Sequence, residues 1–461
     1  MPNKCKHVTN LGGNTYECHR EEYQNGRCVF HMGDLRQVMG KLKDALRAEL
    51  RDDKGDEIDL RQLTLQSISD VFEDAITNKK VVFDGSAFNV RVDFKGTKFL
   101  KGCSFADCDF GHGATWERCE FGNELSLTHR HSGGPLKLVN CTYKSGVRIK
   151  SGTSNSPFYF LGRDFKGDFD CSDTTIHAIT IKNSTFRDLV TFEGSTISQL
   201  FELNDVTFKA GLDLRANGFP KTSYFRGVTF LGKASFSKDA FLKIPLTFEN
   251  CTLHGLELSD LPILDRTVDT KFDDCEWPHN YRKPWGDRQN HWSRNIIADE
   301  REKKRDKHIL RLYRWLHNYY YNKSEFKLAS SFYVSFMVMK RRLEKRNPGA
   351  WLIDMFYSIT SRYGESVWRP LLALVFLWLA VPGLLLTVGA SLSDGQGYWS
   401  NMLLNLQFST LARFGKYAPP PDSVSGTILF FESILNGLLL VFLGLGIRRT
   451  FAPKRPLTER D

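Results

Sequence analysis

Three cysteines and one histidine near the start of the chain have the residue types of a metal site. Cys5, Cys18, Cys28 and His31 form a C-x12-C-x9-C-x2-H series within a short polar segment. Three thiolates and one imidazole complete the tetrahedral coordination of structural zinc and leave no open position for catalysis. Because the segment is too short and polar to build a core, bound metal would hold it together. The pattern predicts a zinc knuckle at residues 1–33 with one structural Zn²⁺ as cofactor.

Alternatives stay open at this site. His7 and His19 stand beside Cys5 and Cys18 in the sequence and are substitute ligands, and a disordered tail with chance cysteines would show the same residues. Elsewhere the sequence has no nucleophile with a base, no phosphate-binding glycine loop and no catalytic metal spacing. We therefore expect no enzymatic activity.

A ladder of large apolar residues occupies the centre of the chain. From Phe186 to Phe241 such a residue recurs at alternating steps of six and five, and the same spacing runs from Phe83 to Phe121. Neither the 3.6-residue period of a helix nor the two-residue period of a strand produces these steps. A four-sided coil of about 22 residues, turning after every large residue, does. The spacing predicts a solenoid at residues 82–262, in which neighbouring coils bury one another.

The ladder resembles the pentapeptide-repeat family, whose fold is a right-handed quadrilateral β-helix. In that family a small residue two positions before each central Phe or Leu also faces the interior. The resemblance implies that the cysteines at such positions are interior filler: Cys103, Cys108, Cys119, Cys141 and Cys251. We expect about eight coils. Residues 125–156 interrupt the spacing and are interpreted as irregular coils or a protruding loop, with His129, Arg130 and His131 solvated.

Helices are predicted on both sides of the ladder. A one-sided apolar pattern at 35–50 and a second helix at about 60–78 predict capping helices in residues 34–81, because an open solenoid end needs a cover. Residues 263–369 are interpreted as an irregular cap or linker to about 292, followed by a helical hairpin at 299–321 and 325–345.

Two long apolar segments lie near the C-terminus. Residues 371–390 have no charge, and residues 428–447 have Glu432 as their only charge. Each segment is long enough to cross about 30 Å of hydrocarbon, which predicts a protein embedded in a lipid bilayer. Basic clusters lie before the first segment and after the second, so both termini are expected in the cytoplasm, including a basic tail at 451–461.

The segment between the two spans is short and apolar. Residues 400–414 are too few to cross a membrane and too apolar for a solvated loop, so a re-entrant pore helix is predicted. Residues 370–450 resemble the two-transmembrane pore-loop ion channels in this order of elements. The resemblance implies a homotetramer around one pore, with a filter formed by Thr410, Leu411, Ala412, Arg413, Phe414, Gly415, Lys416 and Tyr417. The hairpin and residues 361–365 resemble linkers of bacterial proteins that join pentapeptide repeats to channels, which implies a bacterial inner membrane.

The predicted filter has one glycine and two cations, unlike the glycine-rich run of a potassium filter. A ring of Arg413 or Lys416 facing the pore would favour anions. Alternatively, Arg413 pairs with the intramembrane acid Glu432, and the pore conducts cations or selects weakly. Gly437 and Gly444 are either gate hinges or small residues at helix contacts.

The charge distribution limits the partners. Lys and Arg number 21 against 20 Asp and Glu in residues 82–262, and 22 against 14 in residues 263–369, within a net charge of +10. A nearly neutral ladder does not fit the DNA-mimicking pentapeptide repeats, and anionic lipid explains the basic surplus beside the spans, so no nucleic-acid partner is expected. The leading hypothesis is an ion channel gated by a cytosolic repeat sensor with an unknown trigger or protein partner, suited to a stress or anti-phage effector. The alternative is a membrane-anchored scaffold that binds a cytosolic protein.

Overall fold

A computed structural model of the protein describes residues 6, 8–11, 14–17, 28, 35–51, 55–65, 68–127, 129–149, 153–220, 222–237, 244–264, 270–278, 295–302, 307–343, 348–364, 366–387, 398–399, 402 and 423–451. The chain divides into two compact units. One comprises residues 1–278 and 297–303, and the other comprises residues 279–296 and 304–461. The first unit is rich in strands and the second is helical.

The first unit is a parallel β-solenoid of about nine turns, as the apolar ladder predicts. Cys103, for example, pairs in parallel with Val81 in the preceding coil and with Leu125 in the following coil. Each coil has four sides, called faces 1 to 4 here. Face 1 contains nine strands: Glu57–Asp59, Lys80–Val82, Cys103–Ser104, Leu125–Ser126, Val147–Arg148, Phe169–Asp170, Leu189–Thr191, Gly211–Leu214 and Lys233–Phe236.

The other three faces are built in the same way. Face 2 contains Thr64–Leu65, Ala87–Phe88, Cys108–Phe110 and His129–Ser132. Face 3 contains Val92–Lys95, Ala114–Glu117, Leu136–Val139, Ser223–Arg226, Thr247–Glu249 and Lys271–Asp273. Face 4 contains Ile76–Thr77, Lys98–Phe99, Glu120–Phe121, Thr142–Tyr143 and Thr229–Phe230. Three long strands continue around a corner and serve both faces 3 and 4: Thr153–Phe165, Thr175–Phe186 and Thr196–Phe208.

The solenoid is longer and more regular than the sequence predicted. The expected helix at 60–78 is wrong, because strands Glu57–Asp59, Thr64–Leu65 and Ile76–Thr77 already pair with the next coil. Among the described residues of that segment, one short helical turn is present, α2 (Ser69–Phe72). Within residues 125–149 the strands of faces 1, 3 and 4 keep the register of the neighbouring coils. On face 2 the expected irregularity is present, because the pairing of His129–Ser132 with the preceding coil shifts register between Cys108 and Asp109. At the other end, Lys271–Asp273 adds a further strand beyond residue 262.

Aromatic rings fill the interior of the solenoid in stacks that follow the coils. Along face 4 each ring is stacked on the ring of the next coil, with centroid separations from 4.3 to 5.9 Å, through Phe99, Phe121, Tyr143, Phe165, Phe186, Phe208 and Phe230. Each ring is almost fully buried. Since burying one such side chain contributes about 1.5–3 kcal/mol, this repeated layer is a main source of solenoid stability.

Small polar side chains connect the coils inside the solenoid. The Cys108 thiol donates to the carbonyl oxygen of Phe83 at 3.1 Å, and Cys141 donates to Trp116 at 3.2 Å. Ser86 makes the same contact with the carbonyl oxygen of Leu60 at 2.7 Å. The predicted filler cysteines are buried, and they also satisfy backbone acceptors that strand pairing leaves over.

The N-terminal part contains a hairpin and a helix. Strands Val8–Leu11 and Asn14–Glu17 form the antiparallel hairpin, in which Val8 lies opposite Glu17. Helix α1 (Leu35–Arg51) is present as predicted, with Leu42 and Leu46 buried. Its Lys43 and Arg47 both bind Asp70 of the first coil, at 2.8 and 3.1 Å.

The remaining described elements are helical. Two short 3-10 helices, Leu258–Asp260 and Pro262–Leu264, and α3 (Asp299–Glu302) complete the first unit. The second unit contains α4 (Lys307–Asn322), α5 (Phe326–Leu343), α6 (Pro348–Ser361), α7 (Trp368–Thr387) and α8 (Ser423–Phe451). Helices α4 and α5 form the predicted hairpin, in which Tyr320 stacks on Phe332 at 5.6 Å.

Candidate functional site

Helices α7 and α8 have the length and composition of membrane spans. The segments Trp368–Thr387 and Thr427–Arg448 are each long and apolar enough to cross a bilayer, and only 28% and 22% of their residues are buried. Core helices of a soluble protein would be mostly buried instead. Large apolar side chains such as Phe376, Phe430, Phe431 and Val441 are exposed. This extent of apolar surface favours a lipid-facing helix pair.

The two helices pack against each other in opposite directions. Ile428, near the start of α8, packs on Val381 and Leu385, near the end of α7. At the other end, a Cβ atom on Gly446 would lie 3.3 Å from the carbonyl oxygen of Ser366, beside the start of α7. A small residue is therefore favoured where α8 approaches this backbone closely.

One described residue between α7 and α8, Tyr398, contacts the middle of α7. Pro382 lies inside this helix and has no N–H group, so the carbonyl of Trp378 loses its helical donor. One residue further along, the hydroxyl of Tyr398 donates to the carbonyl oxygen of Leu379 at 2.8 Å. The Tyr398 ring also lies 3.9 Å from the Cβ position of Gly383. A residue from the connecting segment is thus bound at the turn that the proline disturbs.

An acid and an amide are buried one helical turn apart on α8. Glu432 and Asn436 are only 3% and 2% exposed, and the Asn436 amide Nδ2 lies 3.5 Å from Glu432 Oε1. Among the described residues, Asn436 Oδ1 has no hydrogen-bond partner. Polar groups at this depth are costly unless they are paired or hydrated, so the pair is a candidate functional feature.

A buried tyrosine lies between the helical hairpin and the first candidate span. Tyr363 lies between α6 and α7 and is fully buried against Val334 and Val338 of α5. Its ring also meets Tyr357 of α6 at 5.7 Å. Arg362 and Tyr363 both have positive φ angles, 52° and 58°, which L-residues adopt only at a cost. Tertiary packing therefore holds this turn in a conformation that the residues do not favour by themselves.

The predicted pore residues are only partly covered by the described structure. Thr410, Leu411, Ala412, Arg413, Phe414, Gly415, Lys416 and Tyr417 lie outside the described residues. Glu432 is buried on α8, as given above. Gly437 is partly buried, whereas Gly444 is exposed and no described atom lies within 4 Å of its Cβ position. In this chain the helix contact therefore falls at Gly446 rather than at Gly444.

The predicted zinc ligands are also mostly outside the described residues. Cys28 is described and buried, while Cys5, Cys18 and His31 lie outside. Within the described part of the chain, no group of three or more His, Cys, Asp or Glu residues is arranged to hold a metal ion. Burial raises the pKa of the Cys103, Cys108 and Cys171 thiols well above the ordinary value, which makes them poor ligands and nucleophiles.

Sequence reasoning missed three residues of this site. Tyr398 belongs to the segment before the predicted pore helix, and its contact with Leu379 is what identifies it as part of the site. Asn436 had a sequence signal, because it follows Glu432 by four residues and therefore shares its helical face. Tyr363 was noticed only as part of a linker, and its burial depends on packing from α5 that no local pattern reveals.

No protein-family model, no curated protein and no solved structure matches this chain.

Proposed function

We propose that this protein is an ion channel whose pore is formed by several copies of α7, α8 and the segment between them. The contact between Tyr398 and Leu379 carries the proposal. Leu379 lies about 12 Å along α7 from the end of that helix at Thr387. A tether between two spans would stay at the membrane surface, whereas a residue bound at this depth supports a connection that re-enters the membrane.

The buried polar pair on α8 supports the same proposal. Glu432 and Asn436 lie within the segment Thr427–Arg448, and a simple membrane anchor needs neither. In membrane proteins such groups face a neighbouring subunit or a hydrated pathway. A homotetramer with the pore-loop arrangement would supply both a neighbouring subunit and a hydrated pathway. Its filter would be residues 410–417, and Gly437 and Gly444 would be candidate gate positions.

We further propose that the solenoid is a pentapeptide-repeat sensor and that α5, α6 and Tyr363 couple it to the gate. A trigger opens such a channel only if it binds the open and closed states differently. Tyr363 contacts both α5 and α6 directly before α7, so a movement of the hairpin would reach the first span. The strained turn at Arg362 and Tyr363 supports a switching element there.

The remaining expectations are consistent with this proposal. In a bacterial inner membrane, the basic residues flanking the two spans would place both termini in the cytoplasm. A structural zinc bound by Cys5, Cys18, Cys28 and His31 would close the N-terminal hairpin, whose open end is flanked in the sequence by Cys5 and Cys18. None of these elements calls for a chemical reaction or for nucleic acid.

Ion flux tests the proposal. The full-length protein would be reconstituted into liposomes and compared under potassium, sodium and chloride gradients, with Gly415→Trp as the blocked variant. We expect flux from the wild-type tetramer and none from the variant. Replacing Arg413 and Lys416 by Gln should then change ion preference if their charges face the pore. A protein that stays monomeric in detergent and carries no flux would contradict the channel and favour the scaffold.

A further inference from the structure

A groove follows face 1 of the solenoid and forms two recesses on either side of Leu189. The first recess has a volume of about 370 Å³ and includes Glu124, Arg148, Asp168 and Asp170 in its lining. The second has a volume of about 570 Å³ and includes Asp213, Arg215, Lys233, Glu257 and Asp299. Leu189 lines both recesses and is 46% exposed, so one apolar side chain stands at the middle of a charged groove.

Acidic residues alternate with hydroxyl residues along the groove. Asp170, Thr191, Asp213 and Ser235 follow one another in register on successive coils. Glu257 continues this column, because Ala234 and Leu256 are paired directly before Ser235 and Glu257. Strands of neighbouring coils are about 4.8 Å apart, so the carboxylates of every second coil repeat at about 9.6 Å.

The acids form the floor of the groove and the cations form its rim. The side chains of Asp213 and Glu257 are 15% and 12% exposed, whereas Arg215 and Lys233 are each 54% exposed. Lys233 reaches Glu257 at 2.9 Å, and Arg215 Nε reaches Asp213 at 2.9 Å. In both pairs the cation is half exposed to solvent, so its side chain can turn away and a cation of a partner can take its place beside the carboxylate at small cost.

The groove also differs in charge from the rest of the chain. Six carboxylates and three cations line the two recesses, a net charge of −3, while the whole chain carries +10. A glycine keeps the second recess open. Gly211 lies in register between Leu189 and Lys233, and a Cβ atom there would come within 2.7 Å of the Lys233 carbonyl oxygen. A larger residue is excluded at this position, so the space between the side chains of Leu189 and Lys233 stays free.

From this arrangement we infer that the groove binds an extended basic segment of a protein partner, with a cationic side chain at every third residue. An extended polyproline-type chain advances about 3.1 Å per residue, so every third residue repeats at about 9.3 Å on one side. That distance matches the spacing of Asp170, Asp213 and Glu257. The residues between the cations would contact Leu189 and the hydroxyls of Thr191 and Ser235. This surface exists whether or not the helices conduct ions.

A labelled peptide with the sequence (Lys-Pro-Pro)3 tests the groove by fluorescence anisotropy with the purified full-length protein. We expect the triple variant Asp170→Asn, Asp213→Asn, Glu257→Gln to bind it about tenfold more weakly or worse. The matched control is Glu202→Gln with Glu249→Gln on face 3, which removes two partly exposed acids and should leave binding unchanged. Ser235→Trp fills the second recess without changing its charge and should also weaken binding.

A second peptide separates the spacing from general charge attraction. It has the same composition, but its three lysines are contiguous, and we expect it to bind about tenfold more weakly than the spaced peptide. Equal binding of the two peptides, or equal loss in the face 1 and face 3 variants, would overturn the inference. Absence of measurable binding by the folded wild-type protein at low salt would overturn it as well.

Discussion

The hydroxyl of Tyr398 donates a hydrogen bond to the carbonyl oxygen of Leu379, which lies in the middle of the first candidate span. Replacing Tyr398 by Phe keeps the ring but removes this bond, with an expected cost of about 1 kcal/mol. Thermal unfolding of the protein in detergent should show a lower midpoint for this variant. Trp399→Phe is the matched control, because Trp399 is the next residue and is 68% exposed. Equal midpoints for the two variants would show that the contact does not stabilise the span.

Tyr363 is the residue whose removal should most disturb the junction between the hairpin and the first span. Truncation to Ala leaves a cavity among Val334, Val338 and Tyr357, and we expect a loss of about 3–5 kcal/mol in folding free energy. Trp368→Ala removes a still larger ring, but one that is 73% exposed, and should cost much less. The two variants would be compared by thermal unfolding and by flux. A small effect of Tyr363→Ala on both readouts would exclude the coupling role.

The interior thiols predict how solenoid stability depends on alkaline pH. Burial raises the pKa of Cys103, Cys108 and Cys171 well above the ordinary value of 9.0. Below that pH both folded and unfolded chains keep these protons, so stability does not change. Above it only the unfolded chain loses them, and stability falls by about 1.4 kcal/mol per thiol and pH unit.

Chemical denaturation between pH 8 and pH 10.5 measures this slope. The triple variant with Ser at the three positions keeps small hydroxyl donors but has no titrating thiol at these positions, so its stability should fall less steeply. Native wild-type protein should also leave these three thiols unmodified by iodoacetamide at pH 8. An identical slope in the two proteins would contradict the assignment.

The ion pairs at Asp70 predict an acid-sensitive attachment of α1. The hydrogen bond from Lys43 is the main cause that lowers the pKa of Asp70, and Arg47 adds to it. Because the pKa of Asp70 is lower in the folded chain than in the unfolded chain, its ion pairs stabilise the fold at any pH above the ordinary pKa of an aspartate. This contribution is lost as the pH falls through the lowered pKa of the folded chain. Because Asp70 is 47% exposed, solvent limits the effect to below about 1 kcal/mol.

Hydrogen exchange at the amides of Leu42 and Leu46 reports this attachment. Asp70→Asn should lower their protection factors at pH 7, whereas wild-type protein should show the same loss of protection only at acid pH. Asp44→Asn is the control, since Asp44 contacts Arg47 only within α1 and is 78% exposed. Unchanged exchange in Asp70→Asn would mean that apolar packing alone holds the helix.

The solenoid could be predicted from the sequence because its period is strong where Phe fills consecutive corners, as from Phe83 to Phe121. The first coil was missed because its corners include Leu60, Leu65 and Thr77, and its segment also fits a helical pattern. The spacing predicts irregular coils at 125–156 because Leu127, Leu138 and Ile149 replace the aromatic residues there, whereas the structure shows regular strands on three faces and a register shift on face 2. Burial of these aliphatic side chains depends on the stacked neighbours, which no short sequence window contains.

The candidate membrane site was predictable in its lengths but not in its contacts. Apolar length identified both candidate spans, and Glu432 is the single charge within the second apolar segment. The choice of Gly446 over Gly444 as the close-contact glycine depends on how α8 rotates against α7, which is set by side chains on both helices. The contact of Tyr398 with Leu379 could not be predicted, because the segment between these two residues has no repeat pattern that would bring them together.

Blocking of flux by modified cysteines tests the pore most directly. Single cysteines would be placed at positions 410–417 in the full-length protein, and a charged methanethiosulfonate reagent would be added outside liposomes that contain each variant. We predict that modification at Thr410→Cys or Gly415→Cys blocks ion flux. Wild-type protein and Val441→Cys, at an exposed apolar position on α8, should be unaffected. Flux that continues unchanged after modification at every position from 410 to 417 would contradict a pore formed by this segment.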